Sequence, residues 1–218
     1  MTGVEASRCS ARAVVTRTFG VLVAASAAEH GVGEALQGNR ASGGPFIQSW
    51  PDAAFFRIEA GEPALTLLPN LLAAGVLTVL LSAVFAWRVM DRSPRTPRFD
   101  LAVVSILLLL VGGGFGPPIL GLAVAAAASV SESRRSRRSG RLLAYAFSWI
   151  LAATLTAWLA LVPGLPLLDL FFGTGESALL PVILGAFVLF LLCVVASRAA
   201  DAARSRHELS APLLKEPR

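Results

Sequence analysis

The sequence is short of charge. Only 15% of its 218 residues are Asp, Glu, Lys or Arg, against about 25% in soluble domains, and no long polar block separates the apolar ones. That pattern excludes a sizeable soluble core and leaves one membrane domain with short tails. Cysteine is scarce too. Cys9 and Cys193 stand at opposite ends of the chain, which excludes a disulfide framework and makes each a bystander thiol. Histidine is limited to His30 and His207, so no second imidazole completes a metal motif. Phosphate loop, nucleophile elbow and HExxH are all missing. No cofactor site and no metal site is read from the sequence.

What is present is apolar. With 55% hydrophobic residues and a mean hydropathy of +0.68, the chain reads as an all-α polytopic membrane protein. It is organised around Leu101 to Val130, thirty residues without a charge, broken by Gly112-Gly113-Gly114-Phe115-Gly116-Pro117-Pro118. About 20 apolar residues cross a bilayer core, so this stretch is too long for one span and too short for two. Glycine costs about 1 kcal/mol and proline about 3 in a helix interior, and the expectation is two half-helices meeting at a glycine-rich tip. Whether 101–130 is re-entrant or makes two short crossings stays open.

Four full spans flank this hairpin, near 13–34, 64–87, 142–162 and 178–197. Residues 1–11 read as a disordered tail, 12–197 as a single transmembrane domain and 198–218 as a polar cytoplasmic tail. Residues 1–27 also fit a cleavable signal peptide; a retained first span is the reading adopted. Ser49-Trp50-Pro51-Asp52 reads as a helix start, with Ser49 as cap. It opens a short interfacial helix near 51–59, anchored by Trp50, Phe55 and Phe56.

Basic residues set the orientation. If the hairpin enters and leaves on one side, all of the 19 Lys and Arg except Arg40 and Arg57 fall on the cytoplasmic face. A single crossing gives a far more even split. The expected topology therefore has both termini cytoplasmic in a bacterial plasma membrane. Arg134, Arg135, Arg137 and Arg138 could attract anionic lipid, although orientation alone explains them equally well. The positions of the basic residues beside apolar blocks argue against a nucleic-acid partner, despite the net charge of +5.

Two segments carry candidate chemistry. At the tip, Gly112, Gly113, Gly114, Gly116 and Pro117 leave backbone groups that lipid cannot satisfy. Opposed half-helix ends of this kind recur as ion or substrate sites, and the plainer alternative is a tight turn packed against other spans. In Glu29-His30-Gly31-Val32-Gly33-Glu34, His30 and Glu34 share a helix face while Glu29 lies to the side. Ionisable groups in a span are costly and suggest a proton or polar-ligand site; the plainer alternative is a solvated helix end. The two segments fall at similar depth, so Glu29 or Glu34 could accept from amides around Gly116 and Ile119. Asn70 is the other polar group at that level, and Asp100 reads as a helix cap.

The segments Glu29 to Gly38 and Gly112 to Pro118 resemble a group of small, uncharacterised multi-pass bacterial membrane proteins with an EHGxGExLQG segment and a GGGFGPP segment. The resemblance implies a membrane location and no activity. The functional expectation is binding or translocation of a small solute or ion at the broken helix. The competing class is a non-catalytic subunit or scaffold that binds lipid, a protein partner or its own copies. A membrane-embedded enzyme comes third, for want of enough converging polar groups.

Overall fold

A computed structural model of the protein describes residues 10–91, 99–129, 140–173 and 176–210. The arginines at 134, 135, 137 and 138, with Cys9, lie outside the described residues. In chain order the elements are α1 (Ala11–Leu36), β1 (Phe46–Gln48), a 3₁₀ helix (Ala54–Glu59), β2 (Pro63–Leu65), α2 (Leu71–Met90), α3 (Phe99–Val111) and α4 (Gly116–Ser129). Then come α5 (Gly140–Leu159), a π-helical bend (Ala160–Gly164), α6 (Leu165–Phe172), a 3₁₀ turn (Glu176–Ala178) and α7 (Leu179–Ser210). The chain is an all-α polytopic membrane protein. Four segments, 11–36, 71–90, 141–172 and 179–204, are long and apolar enough to cross a bilayer.

The hairpin doubles back. At 13 and 14 residues, α3 and α4 are each about 20 Å long, well short of the roughly 30 Å hydrocarbon core. Their facing ends meet the C-terminal part of α1, while at the other end Asp100 on α3 pairs with Arg88 at the end of α2. Both half-helices lie against the α1–α2 pair, which is drawn together where Gly31 meets Gly75. A Cβ at Gly31 would sit 2.7 Å from the Gly75 carbonyl. The core runs through Phe19, Phe85, Leu101, Leu108, Val124 and Phe190. Phe19 meets Phe190 edge-on at 4.9 Å, joining α1 to α7.

Outside this core α5 and α7 carry a continuous apolar skin that includes Tyr145, Trp149, Leu184, Val188 and Leu191. So large an exposed apolar face would drive aggregation in water. Lipid is what it suits.

Several boundaries differ from expectation. The second span starts at Leu71 and not at 64, because Asn70 caps it and residues 63–65 pair with 46–48 as an antiparallel ribbon. The interfacial helix is a single 3₁₀ stretch at 54–59, and its N-cap is Ala53 with no side-chain bond. Ser49 therefore does not cap it. The third span continues past 162 through a bend, where Val162 is extended (φ −133°, ψ 96°). Helix α7 runs on to Ser210, so much of the polar tail is helical. Its Asp201 accepts from the backbone amides of Ala11 and Arg12 at 2.6 and 3.1 Å.

Candidate functional site: a buried acidic cluster at the hairpin tip

Three elements meet at one end of the bundle. Helix α1 brings Glu29, His30 and Glu34 in its last two turns. Glu34 is 0% exposed and His30 6%, so this is not a solvated helix end. The small residue Gly33 lets the chain at Ser49 and Trp50 lie directly on α1, where a Cβ would overlap the Trp50 ring.

The ribbon loop brings the partners. Ser49 is fully buried, and its amide donates to the Glu62 carbonyl at 3.1 Å. Trp50 likewise donates to Gly61 at 2.9 Å. These bonds hold the turn Ala60-Gly61-Glu62, in which Ala60 and Glu62 adopt φ of 52° and 55°. Left-handed backbone at a non-glycine residue costs about 1–3 kcal/mol and gathers at functional sites. Here it turns the Glu62 side chain inward, leaving it 6% exposed.

The polar contacts form a row. Ser49 Oγ donates to Glu34 Oε1 at 3.4 Å and lies 3.0 Å from His30 Nδ1. A hydroxyl has one hydrogen. With that hydrogen given to Glu34, Ser49 accepts from Nδ1–H, and the lone pair of His30 falls on Nε2. That nitrogen faces Glu62 Oε2 at 3.6 Å. One ligand atom each from Glu29, His30 and Glu62 lies within 4.8 Å of the others. Glu34 Oε2 and Glu62 Oε2 are buried without a hydrogen-bond partner.

The hairpin tip closes the cluster from the third side. Gly112 (φ +122°) would drive a Cβ into the Glu34 carboxyl, and Gly114 (φ +72°) into the His30 ring. Only glycine meets both demands at these positions. The exposed carbonyls of α3 are met from α2 and its lead-in. Leu67 donates to Leu110 at 2.8 Å, and the hydroxyls of Thr66 and Thr78 donate to Val111 at 3.3 and 3.2 Å. Gly113 donates to Leu108 at 2.8 Å.

Two expected contacts are corrected. Glu34 sits against Gly112 and not the amides near Gly116 and Ile119. Gly116 has open space around it, and Ile119 donates to Phe115. Pro117 lies in the first turn of α4, buried, where its missing N–H costs nothing. Asn70 stands outside the cluster because its side chain is engaged, accepting from the Ala73 amide at 3.0 Å and donating to Asn39. Asp100 is engaged by Arg88.

The electrostatics are one-sided. Burial pushes the Glu62 carboxyl up to about 11, reinforced by hydrogen bonds to Glu29 and Glu59 and by their charge. Burial also raises Glu59. Among the described residues no Lys or Arg neutralises these acids, since Arg57, on the same loop, turns away to Asp169 at 2.9 Å. Three carboxyl groups, of Glu29, Glu34 and Glu62, gathered about one imidazole call for a proton or a cation.

The order Ser49, His30, Glu62 also resembles a nucleophile relay. Ser49 is sealed from any substrate and shares its hydroxyl with Glu34, which leaves it a positioning role. Sequence reading missed Ser49, Glu59 and Glu62, which lie 15 to 33 residues from α1's acids along the chain. The one available hint was Glu59 and Glu62 standing in a loop otherwise anchored by Phe55, Phe56 and Ile58. No protein-family model, curated protein or solved structure matches the chain.

Proposed function

We propose that this chain binds and translocates a small cation, exchanging it at the buried cluster formed by Glu29, His30, Glu34 and Glu62. The observation that carries the reading is a set of acids buried together with no basic counterpart among the described residues, pressed against a helix break. Ionisable groups at this depth are costly whether charged or neutralised, and are read as functional by default. The contact of Gly112 with Glu34 and of Gly114 with His30 gives the occupancy of the cluster a direct effect on the hairpin. A change in charge there would be felt as a change in tip position.

The natural setting of this reading is a bacterial plasma membrane with both termini cytoplasmic. Supporting it, Arg12, Arg17, Arg88, Arg198 and Arg204 gather at the end of the bundle away from the cluster, as the positive-inside rule would require. The test is flux in proteoliposomes reconstituted with purified protein. Cation or proton uptake should fall at least tenfold in Glu34→Gln and in His30→Ala. Unchanged flux in both would remove the translocation reading.

A second reading has its own support. Gly112 to Gly114 are buried and the carbonyls of α3 are capped by Thr66, Thr78 and Leu67, as a purely structural hairpin of a membrane subunit would be. That reading expects a specific partner to co-purify and no flux from the protein alone.

A further inference from the structure

We propose that Glu29, His30 and Glu62 bind a divalent first-row transition-metal ion, with Ser49 orienting the imidazole. The proposal rests on the cation reading above and narrows its cargo to one chemical class. The spacing supports it. Two ligands on a tetrahedral ion, each at about 2.1 Å, stand about 3.4 Å apart. His30 Nε2 and Glu62 Oε2 are 3.6 Å apart, and the widest separation within the trio, at most 4.8 Å, closes with a carboxylate movement of about 1 Å.

The arrangement around the imidazole supports it independently. A metal-bound histidine normally gives its other N–H to an outer oxygen, which fixes tautomer and ring direction. When the Ser49 hydrogen goes to Glu34, His30 does this through Nδ1, 3.0 Å from the Ser49 hydroxyl, which leaves Nε2 bare toward the carboxyl groups. The Nε2 side holds Glu62 Oε2, an oxygen that is buried and unpartnered on a side chain only 7% exposed. The Ala60-Gly61-Glu62 turn spends backbone strain to aim it there.

The donor set selects the ion. One imidazole nitrogen with two carboxylates suits Zn²⁺, Fe²⁺ or Mn²⁺ better than Mg²⁺ or Ca²⁺, which prefer all-oxygen shells. Three protein ligands leave further positions open, and Glu29 is the half-buried member of the trio. Glu34 is one hydroxyl away from the trio and sits on Gly112. Through Ser49, filling the site would act on the hairpin.

The full chain, purified into nanodiscs, should be titrated calorimetrically with Zn²⁺, and with Zn²⁺ in the presence of excess Mg²⁺. The expected result is one Zn²⁺ per chain that Mg²⁺ in hundredfold excess does not displace. Glu62→Gln, nearly the same shape, should weaken binding at least a hundredfold, and Ser49→Ala by roughly 10- to 100-fold. Tyr145→Phe, on the lipid-facing side of α5, should bind as the parent does. Absence of Zn²⁺ binding by the parent, or equal binding by Glu62→Gln of undiminished helicity, would overturn the proposal. Flux in matched vesicles separates the two readings: monovalent-cation or proton flux without Zn²⁺ binding removes the metal and keeps the translocation reading. Zn²⁺ binding lost in Glu62→Gln but without flux does the reverse.

Discussion

At the N-terminal end of α1, Asp201 accepts from the amides of Ala11 and Arg12 and from the Arg12 guanidinium, so acid, base and helix dipole all agree. At the C-terminal end of the same helix, Glu34 and His30 are sealed among two more glutamates with no arginine or lysine among the described residues to meet them. The first end is what stability alone would select. The second is a conflict that stability would remove, since replacing buried ionisable groups by well-packed apolar ones is often neutral or stabilising. Its retention points to a task, and the contrast supplies the means of testing that view.

The largest expected effect is on pH dependence. Glu62 titrates near 11 in the folded chain against an ordinary 4.5, so between those values the folded state holds a proton that the unfolded chain has released. Stability is therefore full at low pH and falls as pH rises, by at most about 1.4 kcal/mol per pH unit. Melting of the metal-free protein in nanodiscs should drop steadily from roughly pH 6 to 9, and Glu62→Gln should flatten the curve. An equal slope in both proteins would mean that the proton sits elsewhere.

Next comes Gly112→Ala, which meets a left-handed backbone and the Glu34 carboxyl at once, at an expected cost of about 3 kcal/mol. Gly116→Ala, with nothing near its Cβ, should cost well under 1 kcal/mol by comparison. The paired end is worth less than either conflict. Asp201→Ala should lower stability by about 1–2 kcal/mol through the lost cap while leaving cation flux unchanged. Smallest is Arg57→Ala. Its side chain is 67% exposed, and solvent screening holds the loss below about 1 kcal/mol.

Much of this fold was readable because lipid narrows the choices. Four apolar spans and a glycine-proline break leave few arrangements, and the thirty uncharged residues at 101–130 had to turn. The half of the site on α1 was readable from helical spacing, which sets His30 and Glu34 on one face. The other half was not, because a three-residue ribbon and a 3₁₀ turn decide where Glu62 points, and neither has a periodic signal strong enough to see. Depth alone puts Asn70 with the site, whereas its place directly before the apolar run of Leu71 is that of a helix cap. The polar composition after Arg198 gives no sign that α7 continues and sets Asp201 beside the start of α1.

The most direct measurement is the thermal stability of the parent protein and of Glu62→Gln across a panel of Zn²⁺, Mn²⁺, Ca²⁺, Mg²⁺, Na⁺ and K⁺. A cation bound only by the folded state at a hundred times its Kd adds about 2.7 kcal/mol. At least one cation should raise the parent's melting temperature accordingly and leave Glu62→Gln where it was. If every cation moves both proteins alike, or moves neither, the buried cluster is not a cation site.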